Sequence, residues 1–347
     1  MWPSPTGGCW RMRASPMSEN DLTPLRPYWY PVALSSEVAS EPVGVTILGE
    51  QVAVYRSAGG LHALEDLCLH RGSRLSLGSV RDGCLVCPHR GWTYGPSGRC
   101  VEIPSLRSGQ EVPAGASIHS YHACEQFGMA WVALEEPRLP VPEFPEYDDP
   151  DYHVFLGARW DWAASAGRLV ENSLDIGHLP WVHGGMLGDS DNPGRIDAYN
   201  FTDQPYTGDY PDAGFTFEWD WQEVDRSQYG RPGELLHYKS RLYMPYTRRN
   251  TMYAPKGNLT LYQPTLPVSA ERVVFWYFMA RNHSLDVRDS HFQEFSVKLL
   301  AQDKVIVENQ RPRALPVDLT EEVHLRGADA VSLHYRRALA SIGAHHA

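Results

Sequence analysis

From Tyr28 to about Pro137, apolar and polar residues alternate in short runs broken by turn residues. Residues 43–48 and 51–55 are β-rich runs separated by Gly49 and Glu50, the signature of a hairpin. Gly59 and Gly60, then Asp82 and Gly83, mark further turns, and 127–134 reads as another strand. Short strands at this spacing predict a small β-domain. Pro137, Pro140, Pro142, Pro145 and Pro150, set among acidic residues, then predict an extended, stiff connector. Beyond it, 215–221 alternate faces as a strand, and 258–262 and 272–278 continue the β pattern. Near the end the period changes. Phe292, Phe295, Leu299 and Ile306 recur at helical intervals, and a second helix is expected over 328–342. Asp303 falls on the apolar stripe, where a carboxylate is costly unless it is paired or holds a metal. The plainer reading of Asp303 is a helix-surface acid beside Lys304. These patterns divide the chain into a flexible extension (1–24), a β-domain (25–137), a proline-rich connector (138–150) and a larger mixed domain (151–347).

Composition narrows the class. The chain has 347 residues, 42% hydrophobic and 21% charged, as in ordinary globular proteins. A formal charge of −11 argues against nucleic acid or an anionic membrane surface as the main partner. No apolar run approaches the ~20 residues that span a bilayer, and 273–280 reads better as a buried strand. The N-terminal stretch lacks the apolar core of a secretory signal, and Met17 is an alternative start. Six cysteines do not make a disulfide scaffold at this length, and four of them (Cys68, Cys84, Cys87, Cys100) lie close together. That clustering points to a metal site in a reducing compartment, the cytoplasm.

The densest chemistry lies at 171–183. Asn172, Asp175 and His178 follow at intervals of three, which on a helix places them along one side. His183 lies five beyond His178, past the next turn, and Pro180 between them disturbs the backbone. A bent segment of this kind can turn both imidazoles toward one point. With one carboxylate from elsewhere, for which Asp303 is the candidate, they would form the open facial site of a non-haem Fe(II) oxygenase. The plain alternative is two unrelated histidines beside a helix end. Upstream, Cys68-Leu69-His70-Arg71-Gly72 is echoed by Cys87-Pro88-His89-Arg90-Gly91. Two thiolates and two imidazoles on two turns hold either tetrahedral Zn²⁺ or a Rieske [2Fe–2S] cluster. The glycine after each unit favours the cluster, because it lets backbone amides approach the inorganic sulfides. Cys84 and Cys87 form a competing Cys-x-x-Cys pair.

The two Cys–His loops, with Trp92 and the segment 98–104, resemble the Rieske domain of the non-haem iron oxygenases. Asn172, Asp175, His178 and His183 are similar to the mononuclear iron motif of that family, and 302–312 to the helix carrying its third ligand. The resemblance spans residues 27–342 and is closest to the homo-oligomeric branch that includes dicamba and vanillate O-demethylases. It implies an α+β fold, with an N-terminal Rieske β-domain followed by a catalytic domain of helix-grip or START-like type, an antiparallel β-sheet flanked by helices. It implies Cys68 and Cys87 on one cluster iron with His70 on the other, and His178, His183 and Asp303 on Fe(II), with Asn172 nearby. Asp175 would link His178 to a cluster histidine of a neighbouring copy in a head-to-tail homotrimer. The implied co-reactants are O₂, a small organic substrate and a separate ferredoxin or flavin reductase; no Gly-x-Gly-x-x-Gly nucleotide fingerprint occurs here. Hydroxylation or oxidative demethylation is expected over cis-dihydroxylation. Trp160, Trp162, Trp181, Trp219 and Trp221 lean toward an aromatic substrate, although such residues more often build core.

One position departs from the family. Its second loop reads Cys-x-x-His-Gly-Trp, whereas here histidine comes one residue early, at His89, and Arg90 takes the family's place. Three outcomes follow: His89 ligates, Arg90 sits beside the cluster or ligates it, or the cluster is lost and the fold persists as a scaffold or regulatory subunit. His89 is preferred, since both thiolates and every iron ligand remain.

Overall fold

The computed structural model describes residues 22–188, 190–191, 200–202, 213–222, 233–325, 327–344 and 347. Most of the expected N-terminal extension lies outside these residues, as does much of 185–215 and 223–235, whose Gly, Asp and Pro content and place near the iron motif in sequence predict loops that line or cover a pocket.

Ten strands precede or border the connector: β1 (Tyr30–Leu34), β2 (Val43–Ile47), β3 (Glu50–Ser57), β4 (Gly60–Glu65), β5 (Ser79–Arg81), β6 (Cys84–Val86), β7 (Thr93–Tyr94), β8 (Cys100–Glu102), β9 (Ser120–Gln126) and β10 (Met129–Ala133). Six form one sheet in the order β1-β10-β9-β4-β3-β2, and β5-β6-β7-β8 form a second. The expected hairpin is present, but its turn is Leu48–Gly49 rather than Gly49–Glu50. Both turn residues have positive φ (51° and 84°), the conformation that matches strand twist in a two-residue hairpin. Glu50 is thereby freed to pair with Ile47. The hairpin tip docks by backbone bonds from Leu48 and Gly49 to Pro267 and Val268.

The second half contains β11 (His153–Trp162), α1 (Ala166–Leu174), α2 (Leu179–Val182), β12 (Asn200–Thr202), β13 (Gly214–Gln222), β14 (Leu235–Tyr243), β15 (Thr247–Ala254), β16 (Gly257–Gln263), β17 (Thr265–Ser269), β18 (Arg272–Arg281), α3 (Asp289–Val307) and α4 (Ala330–Ser341). An antiparallel sheet runs β11-β18-β16-β15-β14-β13-β12, with β17 also on β18. This is the expected α+β arrangement of an antiparallel sheet with helices. One apolar core joins the two halves: Val52, Trp131 and Phe144 pack in the same cluster as Trp162, Trp276 and Leu300.

The face of α3 is rotated from the expected stripe. Phe292, Phe295, Leu300, Asp303 and Val307 are buried, whereas Ile306 is 45% exposed. A true helical period drifts around the axis over this length, so Val307 replaces Ile306 on the inner side. Asp303 stays inside.

Candidate active site

The segment 165–188 is bent, but not where its sequence pattern placed the bend. Ser165 caps α1 by accepting from the Arg168 N–H at 3.1 Å. The helix stops at Leu174, and Asp175 is extended (φ −76°, ψ 131°). The spacing of Asn172, Asp175 and His178 is therefore not that of one continuous helix face. Asp175 is withdrawn from the helix because its carboxylate takes the next orphan amides: Oδ1 accepts from Gly177 N–H at 2.8 Å and Oδ2 from His178 N–H at 3.1 Å. A second short helix, α2, starts there, and Pro180 sits in its first turn, where the missing donor costs nothing. His178 and His183 flank α2 as its two caps. Gly188 closes the segment against Pro180, where an added Cβ would meet backbone at 2.6 Å.

These turns bring together groups distant in sequence. One nitrogen each from His178 and His183 and one oxygen of Asp303 lie within 4.8 Å of one another. The imidazole rings stand edge to face, 5.2 Å apart. His183 Nε2 is 3.1 Å, and His178 Nε2 3.5 Å, from Asp303 Oδ1. His183 is fully buried and Asp303 only 4% exposed, yet among the described residues His183 Nε2 and Asp303 Oδ1 have no aligned hydrogen-bond partner. Two orphaned polar atoms facing one point inside a protein are costly unless an ion lies between them. The opposite ring nitrogens are held: His178 Nδ1 lies 3.1 Å from Asp175 Oδ2, and His183 Nδ1 lies 2.9 Å from Gln302 Oε1. With an acceptor at each Nδ1, a proton held there leaves Nε2 as the lone pair that a metal would take, the arrangement of metal-binding histidines. Burial opposes a charge on His183, but the Asp303 carboxylate and the Gln302 amide outweigh it and raise its pKa. Burial likewise opposes ionisation of Asp175, but His178 and the two backbone amides prevail and hold its carboxyl low. The three donors fit a divalent iron with open positions.

The three groups edge a cavity of about 120 Å³. The same face of the large sheet supplies Trp219 and Trp221 from β13, Tyr238 from β14, Arg248 and Asn250 from β15, and Leu261 and Gln263 from β16. Trp219 stacks on Tyr238 at 5.0 Å. Asn172 and Asp175 line this cavity and also an outer hollow bounded by Glu171, Arg311 and Glu322. Trp160, Trp162 and Trp181 are not among the lining residues; Trp162 is core and Trp181 is 66% exposed. Gln302, Arg248, Asn250 and Gln263 were not singled out from sequence. The polar alternation of Arg248 and Asn250 on an otherwise apolar strand face was the available signal.

The two Cys–His loops are copies of one turn. Gly72 N–H donates to Cys68 C=O at 2.9 Å, and Gly91 N–H to Cys87 C=O at 3.0 Å. Both glycines are left-handed (φ 69° and 70°), so turn closure explains glycine at each place. Cys68 and Cys87 are buried free thiols in one small core cluster with Tyr94, whose Oη lies 3.3 Å from Cys68 Sγ. His70 and His89 stand at the outer end with ring centroids 6.0 Å apart, and His70 stacks on Trp92 at 5.0 Å. Arg90 is exposed and occupies the place that Arg71 has in the first loop. A buried sulfur end and an outer imidazole end fit a Rieske cluster. Cys84, in β6, and Cys100, in β8, lie outside the two turns, although Cys100 packs in the same small core.

The chain matches the Rieske [2Fe-2S] domain family over 28–122 and the vanillate O-demethylase oxygenase C-terminal domain family over 162–345. It therefore belongs to the Rieske non-haem iron oxygenases, as an oxygenase component and oxidoreductase with a [2Fe–2S] domain and a mononuclear-iron domain. Among its relatives is the methylxanthine N1-demethylase NdmA of Pseudomonas putida, 27% identical over 325 residues, covering 91% of this chain and 88% of that one. The solved structure of NdmA with caffeine has a TM-score of 0.80 at 26% identity, over 91% of this chain and 90% of that one. The dicamba O-demethylase oxygenase component of Stenotrophomonas maltophilia is 33% identical over 167 residues, 47% of this chain and 48% of the relative. Oxygenase components of this family act on a small molecule with electrons from a separate reductase or ferredoxin.

Proposed function

We propose that this oxygenase component demethylates or hydroxylates a small, flat, aromatic or heteroaromatic substrate by monooxygenation, with His178, His183 and Asp303 as iron ligands. The observation that carries the reading is their convergence on one point, with two buried atoms orphaned there, beside an aromatic-walled cavity. In this reading 25–137 is the Rieske domain, 138–150 the connector and 151–347 the catalytic domain. Cys68 and Cys87 hold one cluster iron, and His70 and His89 the other. His89 is favoured over Arg90 because it repeats the place of His70 in an equivalent turn. Bound at these residues, the cluster supplies electrons one at a time and the iron activates O₂.

The chain's own groups do the positioning. Gln302 and Asp175 hold the Nδ1 protons, so both Nε2 lone pairs face inward. Trp219, Trp221, Tyr238 and Tyr277 exclude water and flank the substrate. In the balanced demethylation, one atom of O₂ enters a methyl C–H bond. The other leaves as water with two electrons and two protons, and the hydroxymethyl product releases formaldehyde. Asp175 keeps 32% of its side chain exposed at the outer hollow. That exposure supports contact with a cluster histidine of a second copy, within a cytoplasmic homotrimer fed by a ferredoxin or flavin reductase. Neither the fold nor the relatives favour the impaired, scaffold reading.

Anaerobic reconstitution tests the proposal. Iron, acid-labile sulfide, a low-g EPR signal on reduction and formaldehyde release with a methylated substrate are expected. Iron without sulfide would remove the electron-transfer half, and zinc alone would remove both halves.

A further inference from the structure

The sheet face behind the iron site carries two buried amides, each with one end unpartnered among the described residues. Asn250 and Gln263 are 6% and 4% exposed and line the cavity from adjacent strands. In the β15–β16 register Asn250 opposes Leu261 and Arg248 opposes Gln263, so the two amides are diagonal neighbours on one face. Among the described residues, Asn250 Oδ1 and Gln263 Nε2 have no hydrogen-bond partner. Ser173 Oγ has one proton and two acceptors in reach, Leu169 C=O at 2.9 Å and Gln263 Oε1 at 3.2 Å. Whichever it serves, one end of the Gln263 amide is left to the cavity. Buried amides without partners are expensive, and a ligand that pairs them recovers that cost.

We infer that the substrate is a neutral planar heterocycle whose ring carries an N–H beside a C=O, a lactam or imide edge, read by Asn250 and Gln263. This rests on the proposed active site and specifies its substrate class. A lactam edge offers a donor and an acceptor in one plane, so it pairs two amides in either of their flipped orientations. With Fe(II) bound, the Asp175 and Asp303 carboxylates on the cavity wall balance the ion's charge, so an anionic ring gains no net attraction. The Arg248 cation is engaged with the chain itself, on Ser240 Oγ at 2.8 Å and on the Ser173 carbonyl. Trp219, stacked on Tyr238, gives the ring an aromatic wall. The volume of about 120 Å³ suits a single small ring system, since an engineered cavity of about 150 Å³ holds benzene.

Isothermal titration calorimetry of the iron- and cluster-loaded protein, without reductant, tests this with three probes. These are 1-methyluracil, which has an imide N–H; 1,3-dimethyluracil, which lacks it; and benzoate. The imide probe is expected to bind about tenfold tighter than the dimethyl probe, the cost of leaving one buried acceptor unpaired. Asn250→Leu, and separately Gln263→Met, should erase that difference; either suffices if the other fails to fold. Equal binding of the two uracils, tighter binding of benzoate, or no binding by any probe overturns the inference. Formaldehyde release is measured separately. Imide preference without formaldehyde refutes the demethylation reading and leaves this one standing. Formaldehyde from other substrates without imide preference overturns this one alone.

Discussion

Gln302 is the sharpest place to test the site, because it touches a proposed ligand without being one. Its Oε1 accepts from His183 Nδ1 at 2.9 Å, and the imidazole is fully buried. Gln302→Leu removes that acceptor at nearly constant volume and leaves a buried N–H unpaired. Such an unmade bond costs about 1–3 kcal/mol. Independently, removing the acceptor behind a metal-binding histidine typically costs roughly 10–100-fold in metal affinity, which is about 1.4–2.7 kcal/mol. The two figures agree, so Fe(II) affinity should fall by that factor. Gln302→Glu keeps an acceptor and makes the imidazole more basic, so affinity should be retained or rise. The assay is anaerobic Fe(II) titration against a chelator of known affinity, with the visible absorbance of the Rieske cluster as folding control. A change below about twofold for Gln302→Leu, outside the roughly 10–100-fold band, would refute the argument that Gln302 sets the His183 tautomer.

Asp303→Ala should lose the mononuclear iron while the cluster spectrum survives; survival of both metals would show that Asp303 is no ligand. His89→Ala should abolish the cluster absorbance and Arg90→Ala should spare it, and the reverse would reassign the second loop. Gly188→Ala should empty the iron site, because its Cβ would meet Pro180 backbone at 2.6 Å and displace the segment between the two histidines; metal analysis of purified protein reads this. Arg336 is 2% exposed and binds Glu171 in bidentate fashion at 2.6 and 2.8 Å, and Glu322 as well. Arg336→Met should therefore cost about 3 kcal/mol in urea unfolding at neutral pH, by leaving the partly buried Glu171 and Glu322 carboxylates undercompensated. Burial opposes the Glu322 charge, yet Arg168 and Arg336 outweigh it and hold its carboxyl below the ordinary 4.5. A lowered folded pKa means that this stabilisation is complete above 4.5 and fades as pH falls through the folded value. Glu322→Gln should flatten that acid limb.

What the sequence determined by itself was the inventory and its order. Cys68, His70, Cys87 and His89 on repeated turns, His178 and His183 around a bent segment, and Asp303 on a buried helix face were all legible, because each rests on local periodicity or local turn chemistry. The hairpin at 43–55 and the strands at 215–221 and 272–278 were legible for the same reason. Only the tertiary structure decided the rest. The helix break came at Asp175 rather than Pro180, because a side-chain carboxylate competed for backbone amides that periodicity does not count. Ile306 yielded to Val307 because α3 meets its neighbours along a drifting stripe. Gln302 met His183, and Asn250 met Gln263 across a diagonal, through pairings that depend on strand register and helix rotation. Such contacts join residues up to 119 positions apart, and no local pattern encodes them.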